Sequence, residues 1–193
     1  MKTKKTIFFL IIILALMLVS FSIYNKTQKQ SAEPTDPIVS DVEVNNFNDC
    51  VKEGNPVMES YPRQCRSLDG RLFVEDIGNI NEKNDLIQLN YPLPNQEISS
   101  PLEITGTARG LWYFEADFPI VLLNSQGDII SQGIATAQDD WMTEEFVPFT
   151  AILSFDIAES EKGQEGRLIF QKDNPSGLVE NNDSLEIPII FSF

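Results

Sequence analysis

The stretch VPFTAILSFD, residues 147–156, shows the fold of this protein most directly. Apolar and polar side chains alternate along it. The apolar set is Phe149, Ala151, Leu153 and Phe155, and the polar set is Thr150, Ser154 and Asp156. Because successive side chains of a β-strand point to opposite faces, this alternation predicts a strand with one buried and one exposed face. Residues 185–191 alternate in the same way and predict a second strand of this kind.

Seven short strands are predicted between residues 86 and 193, and turn residues such as those at 124–127 separate them. The predicted strands are 86–91, 98–107, 112–123, 128–137, 147–156, 165–172 and 184–192. No long helical period lies between them. Seven short strands in about 100 residues are typical of an immunoglobulin-like sandwich. We therefore predict an all-β fold, an immunoglobulin-like antiparallel β-sandwich of about seven strands at residues 86–193.

The stretch GLWYFEADFPIVLL, residues 110–123, is interpreted as one of these strands. Alternate side chains of a strand starting at residue 112 face the core and the solvent in turn. Trp112, Phe114, Ala116 and Phe118 share one face, and Trp112, Phe114 and Phe118 are the predicted core residues. The predicted exposed set is Tyr113, Glu115 and Asp117, and together with Trp141 it forms a candidate interaction surface.

The composition argues against several functions. The chain has 14 lysines and arginines, 29 acids and no histidine. All 29 acids follow residue 30, where only 9 basic residues remain, so this part has a charge balance of −20. Such an acidic body repels phosphate backbones, and we expect no nucleic-acid partner. Without histidine, the common Ser-His-Asp, Cys-His and HExxH sites are excluded, and we assign no catalytic residue, cofactor or metal.

The N-terminal residues 1–24 are predicted to be a signal anchor. Lys2, Lys4 and Lys5 precede an apolar run at residues 7–24, which is long enough to span a bilayer core of roughly 30 Å. The preceding positive charge favours a cytoplasmic N-terminus and an extracytoplasmic folded part. The alternative is a signal peptide cleaved near Ser20 or Ser22, which would give a secreted protein. Residues 25–46 are polar and predict a flexible stalk.

A small two-cysteine module is predicted at residues 47–80. Cys50 and Cys65 are the only cysteines, and an even count in an exported chain favours a disulfide. Two thiolates without histidine are a poor zinc site. Asp69 and Gly70, flanked by apolar residues, predict a β-hairpin with a two-residue turn in which both residues have positive φ.

Several spaced motifs support a family resemblance. They are SSPLEITG at 99–106, WYFEA at 112–116, VLLNSQGD at 121–128, WMT at 141–143 and VPFTA at 147–151. Together they make residues 86–193 resemble the immunoglobulin-like domain of bacterial spore germination. The resemblance implies a non-catalytic, extracytoplasmic β-sandwich in bacteria, often on a membrane-anchored chain.

The leading functional hypothesis is a non-catalytic binding module in the cell envelope that recognises an envelope protein or a cell-wall glycan, with a germination-related role implied by the resemblance. Two alternatives stay open. A carboxylate-based glycan hydrolase would use a pair of acids, and a calcium-binding domain would use a cluster of them. The candidate pairs are Asp139 with Glu144 and Glu115 with Asp117; the candidate calcium cluster is Asp139, Asp140, Glu144 and Glu145.

Overall fold

A computed structural model describes residues 43–192 of the protein. The predicted membrane anchor at residues 1–24 and most of the predicted stalk at 25–46 lie outside the described residues. None of the helices within residues 43–192 combines the length and the apolar character that a membrane crossing needs.

The two-cysteine module begins with a short helix and continues as a three-stranded antiparallel sheet. The elements are α1 (Phe47–Lys52), β1 (Val57–Met58), β2 (Gln64–Arg66) and β3 (Leu72–Val74), with the sheet order β1-β2-β3. The side chain of Asn46 caps α1 by accepting a hydrogen bond from the backbone N–H of Asp49 at 2.8 Å. Phe47 is buried on the disulfide, with Val57 and Phe73 packed beside it.

The predicted disulfide between Cys50 and Cys65 is confirmed and ties α1 to β2. The predicted hairpin is also present, because β2 pairs with β3, but its predicted turn is wrong. Five residues, 67–71, connect the strands, and Gly70 has a positive φ of 89° whereas Asp69 does not. The Asp69 carboxylate instead accepts hydrogen bonds from the Ser67 hydroxyl and the Arg71 backbone, which lower its pKa to about 2.

The second part of the described chain is an antiparallel β-structure with one parallel pair. Its elements are α2 (Ile80–Lys83), β4 (Ile87–Tyr91), β5 (Glu97–Ile98), β6 (Leu102–Arg109), β7 (Asp117–Leu123), β8 (Ile129–Ala137), β9 (Phe146–Leu153), β10 (Glu165–Gln171) and β11 (Ser184–Phe191). Short 3-10 segments cover Gly110–Trp112, Glu159–Glu161 and Val179–Asn181. The strand order is β4-β6-β9-β8-β7-β10-β11-β5, and only β11 and β5 run parallel.

This eight-stranded sheet folds on itself into a sandwich. β8 pairs with β7 along its whole length but with β9 only at its end, through Thr136 and Ala137. Phe149 of β9 packs at 5.0 Å between ring centroids on Phe118 of β7, and at 6.3 Å on Phe170 of β10. Because β9 pairs with neither β7 nor β10, these contacts cross the core between two facing layers. The immunoglobulin-like all-β prediction is therefore confirmed.

The predicted alternation holds in the strands where it was clearest. The apolar face of β9 and the apolar face of β11 are both buried. The buried members are Phe149, Ala151 and Leu153 in β9, and Leu185, Ile187, Ile189 and Phe191 in β11. Each fully buried Leu, Ile or Phe side chain contributes about 1.5–3 kcal/mol to folding. This core fixes the strand ends from which the loops project.

Two predicted strands are wrong in their extent. The predicted strand 98–107 is two strands, since β5 ends at Ile98 and β6 begins at Leu102 after a cis bond between Ser100 and Pro101. The predicted strand 112–123 begins only at Asp117. The residues before it form a 3-10 segment and a tight turn. Eight strands are thus present in this sheet, where about seven were expected.

The two-cysteine module is joined to the sandwich by a short linker that runs along β11. Gly78 has a φ of 65°, and a Cβ at this position would lie 1.8 Å from the backbone oxygen of Glu186. Asp76 forms an ion pair with Arg167 of β10 at 2.6 Å. The Asn79 backbone donates to the Glu186 carbonyl at 3.1 Å, which extends the contact. The module therefore lies against the end of the sandwich where β10 begins.

Candidate functional site

Three loops meet at the opposite end of the sandwich. They are residues 110–116 between β6 and β7, 138–145 between β8 and β9, and 172–183 between β10 and β11. The strand registers bring them together, because the ends of β6, β8 and β10 lie beside the starts of β9, β7 and β11. We call these three segments the loop end.

A glycine permits the closest contact between two of these loops. A Cβ on Gly110 would lie 1.9 Å from the backbone oxygen of Thr143 and 2.2 Å from that of Trp141. Real side-chain carbons do not approach backbone oxygens this closely, so only glycine fits. The third loop is attached through Asp173, whose backbone N–H donates to the carbonyl of Trp112 at 3.0 Å.

Arg109, the last residue of β6, holds the second loop in place. Its guanidinium lies 4.2 Å from the centroid of the Phe146 ring, a cation–π contact. The same group donates to the backbone oxygen of Glu144 at 2.9 Å and to that of Asp85 at 3.1 Å. The role of Arg109 depends on contacts with residues distant in the sequence, which the sequence alone does not reveal.

The stretch predicted to be a strand from residue 112 contains a tight turn at Phe114–Asp117. The Phe114 and Asp117 backbones exchange hydrogen bonds of 3.0 and 3.1 Å. Glu115 and Ala116 between them have φ values of 53° and 70°. Two consecutive positive φ angles define a type I′ turn, which usually carries Asn-Gly or Asp-Gly. Non-glycine residues are strained in this region, and such strain is often found where a chain functions.

Because of this turn, the predicted division of residues 112–118 into buried and exposed side chains is partly wrong. Trp112 and Phe118 are fully buried as expected, but Phe114, predicted to be core, is 40% exposed. Tyr113, predicted to be exposed, is only 4% exposed. Its hydroxyl donates to the backbone oxygen of Val147 at 2.8 Å, and burial raises the pKa of its phenol. Tyr113 is therefore part of the core and not of a surface.

The other three predicted surface residues lie at or beside the loop end. Glu115 is exposed on the tight turn. Trp141 is half-buried and packs against the core, and Asp117 is half-buried at the start of β7. One carboxylate oxygen of Asp117 and the indole nitrogen of Trp112 are buried and have no hydrogen-bond partner among residues 43–192.

The loop end exposes more apolar surface than was predicted. Its exposed large apolar side chains are Leu111, Phe114, Met142, Leu178 and Val179. Met142 and Val179 are 77% and 78% exposed. The same three loops contain eight acidic side chains and one basic side chain, Lys172. The acidic residues are Glu115, Asp139, Asp140, Glu144, Glu145, Asp173, Glu180 and Asp183. Clustered exposed apolar residues mark interaction surfaces. Leu111 and Met142 were missed because both lie outside the predicted strands, where alternation gives no prediction of exposure.

The candidate catalytic and calcium-binding acids do not form a cleft. Asp139, Asp140, Glu144 and Glu145 are all exposed on one loop. Two of them support the loop itself: Asp139 accepts from the Asp140 backbone at 2.9 Å, and Asp140 accepts from the Met142 backbone at 3.0 Å. Within residues 43–192 no group of three or more His, Cys, Asp or Glu residues is placed to hold a metal ion.

An open groove of about 590 Å³ lies at the other end of the sandwich, between the two-cysteine module and the start of β10. Several of its polar groups are already bonded to one another. Asn95 donates to the backbone of Asp76 at 2.7 Å and to Glu75 at 3.1 Å. Hydrogen bonds from Arg63 to Glu75 lower the pKa of that carboxyl. These contacts serve the junction, so the groove is a weaker candidate than the loop end.

The fold and the exposed loops define an immunoglobulin-like domain whose available side chains suit recognition. Residues 86–176 match the family described as the immunoglobulin-like domain of bacterial spore germination. The match covers slightly less than half of the chain and ends before β11. No curated protein and no solved structure matches the chain.

Proposed function

We propose that this protein is a non-catalytic, germination-related binding module that stands outside the bacterial cytoplasmic membrane on an N-terminal anchor, residues 7–24. The loop end is its binding surface and an envelope protein is its partner. The observation that carries the proposal is the group of exposed apolar side chains on three loops that backbone contacts hold together. Rigid loops bind at a lower entropic cost than mobile ones.

The chemistry of the loop end favours a protein over a cell-wall glycan. Leucine, methionine and valine side chains bury well against a protein surface, whereas a glycan prefers flat aromatic rings and amides. Trp141 is only half-exposed, and Phe114 is the exposed aromatic residue of the three loops. The excess of carboxylates favours a partner with basic residues around its contact surface.

The position of the loop end supports the same arrangement. The two-cysteine module, which follows the anchor and stalk in sequence, contacts the sandwich at the end where β10 begins. The loop end is at the opposite end of the strands. An N-terminal tether would therefore enter the folded part of the chain through the module and not through the loop end.

Photo-crosslinking in intact cells tests the surface. A photoreactive amino acid replaces Met142 in one variant, Val179 in a second and Ile152, an exposed residue of β9, in a control. We expect the two loop positions to crosslink the same discrete protein and the control position not to do so. The Leu111→Ser substitution should weaken this crosslink, and added salt should weaken it further. Equal crosslinking from Ile152 would contradict the proposed surface.

Thiol labelling tests the location separately. In the Met142→Cys variant, a membrane-impermeant thiol reagent should label intact cells as strongly as lysed cells, since residue 142 is 77% exposed. Labelling only after lysis would contradict the extracytoplasmic location. Recovery of the labelled protein in the culture medium, rather than in the membrane fraction, would show a cleaved signal peptide instead of an anchor.

A further inference from the structure

Met142 places a thioether at the loop end in a position open to solvent. It is 77% exposed, whereas Met58, the other methionine within residues 43–192, is 42% exposed. The remaining sulfur atoms of this range belong to Cys50 and Cys65, which are fully buried and joined in the disulfide. Met142 therefore offers the most accessible sulfur-containing side chain in the part of the chain that the structure describes.

Backbone contacts hold the loop on both sides of this residue. The Met142 N–H donates to the carboxylate of Asp140 at 3.0 Å, and the Thr143 N–H donates to the Trp141 carbonyl at 2.8 Å. Trp141 packs against the core, and the backbone oxygens of Trp141 and Thr143 lie against Gly110. Because these contacts fix the loop backbone, the fold itself keeps the thioether exposed.

An exposed thioether is open to oxidation by peroxides. Susceptibility follows exposure, and the product, methionine sulfoxide, is polar where the thioether is apolar. In the reaction, the sulfur atom attacks one oxygen of hydrogen peroxide, so that the O–O bond breaks and an S–O bond forms. The hydrogen on that oxygen passes to the departing hydroxide, which leaves as water. Sulfur loses two electrons and the peroxide gains them.

The charge of the loop end favours hydrogen peroxide over anionic oxidants. The three loops contain eight acidic side chains and one basic side chain. Such a surface lowers the local concentration of anions, whereas it does not repel an uncharged molecule. Hydrogen peroxide is uncharged at physiological pH and is small, so it reaches the exposed thioether of Met142 without an electrostatic barrier.

We propose that Met142 is a reversible oxidation site, and that its conversion to the sulfoxide by hydrogen peroxide weakens partner binding at the loop end. The effect on binding rests on the proposed function, because Met142 is one of the exposed apolar side chains of that surface. A sulfoxide loses hydration when a partner covers it, whereas a thioether is already apolar. A methionine sulfoxide reductase reverses the change, taking two electrons from a pair of thiols and releasing the oxygen as water.

Peptide mass spectrometry of the full-length chain in mild detergent tests the oxidation site. Hydrogen peroxide is added, samples are quenched over time, and the gain of one oxygen atom is followed at Met58 and Met142. We expect Met142 to be oxidised about twofold faster or more, in line with the exposed fractions of the two residues. In denaturant the two rates should converge, because the fold no longer sets the exposure. Equal rates in the folded protein, or faster oxidation of Met58, would overturn the assignment.

The same measurement tests reversibility. Methionine sulfoxide reductases of both stereospecificities, added with a thiol reductant, should remove the added oxygen from Met142. A mass increase at Met142 that persists after this treatment would show that the oxidation is not reversible.

Photo-crosslinking in intact cells tests the effect on binding. A photoreactive amino acid replaces Val179, and washed cells are irradiated with or without prior treatment with hydrogen peroxide. We expect oxidation to reduce the crosslinked product by about three- to tenfold. The same loss should occur in a Met58→Leu background. It should be absent in a Met142→Leu background, with each variant compared with its own untreated cells, and this comparison also controls for oxidation of the partner.

The outcomes separate this inference from the proposed function. An unchanged crosslink after complete oxidation of Met142, or an equal loss in the Met142→Leu background, would overturn the effect of oxidation and leave the loop end as the binding surface. Absence of the crosslink before peroxide treatment would overturn the binding surface and the effect of oxidation with it. The oxidation rates of Met58 and Met142 decide the modification site in either case.

Discussion

Replacing Ala116 with glycine should stabilise the protein. Ala116 has a φ of 70° in the tight turn between Phe114 and Asp117. A non-glycine residue in the left-handed region costs about 1–2 kcal/mol. Glycine removes that strain but adds freedom to the unfolded chain, which offsets about 0.5–1 kcal/mol. We expect a net gain of about 0.5–1 kcal/mol in the free energy of unfolding.

Thermal and urea unfolding of the full-length chain in mild detergent, followed by tryptophan fluorescence, would measure this gain. For a domain of this size, the melting temperature should rise by about 1–4 °C. Ala158→Gly is the matched control, since Ala158 is exposed and has an ordinary φ of −68°. The control should lose about 0.5–1 kcal/mol. If Ala116→Gly loses as much as Ala158→Gly, the strain argument is refuted.

Three further outcomes are expected from unfolding measurements. Gly110→Ala should lower the free energy of unfolding by about 1–3 kcal/mol, because the added carbon collides with two backbone oxygens; an unchanged urea midpoint would contradict this packing. Tyr113→Phe should lose about 1 kcal/mol, since the buried carbonyl of Val147 loses its donor, and a neutral result would disprove that contact. Glu75→Gln should cost about 1–3 kcal/mol at neutral pH. Arg63 lowers the pKa of Glu75 below its ordinary 4.5, so this cost should disappear as the pH falls below 4.5 and persist above it.

The sandwich could be predicted because the alternation of apolar and polar residues in its strands indicates which face is buried. In β9 and β11 the apolar side chains recur at every second residue, and the buried face follows directly. The disulfide was predictable from the even cysteine count in a chain that the sequence predicts to be exported. These features depend on local spacing or on counting, which a single sequence shows.

The tight turn at Phe114–Asp117 could not be predicted in the same way. Glu115 and Ala116 are ordinary strand or helix residues, and nothing in their chemistry indicates a positive φ. The conformation is imposed by surrounding contacts, including the hydrogen bond from the Ala137 backbone to the Ala116 carbonyl at 2.8 Å. A reversal of direction at this point exchanged the predicted environments of Tyr113 and Phe114.

The candidate surface was predictable only in part. Glu115 was identified as a surface candidate from the alternation of faces on the strand predicted from residue 112, and Trp141 was added to that surface as an aromatic residue. The assembly of three loops depends on Gly110 and Arg109, whose partners in the loop at residues 138–145 lie more than 30 residues away in the sequence. Contacts at that separation leave no periodic signal in a sequence.

The edge strands of the eight-stranded sheet affect how readily the protein aggregates. β5 offers only two residues at one margin, and β4 at the other is interrupted by a bulge between Leu89 and Tyr91. A short or irregular edge strand offers few unpaired backbone groups with which a strand of another molecule could form hydrogen bonds. Fibril-like stacking through the sandwich should therefore be slow, even at high protein concentration.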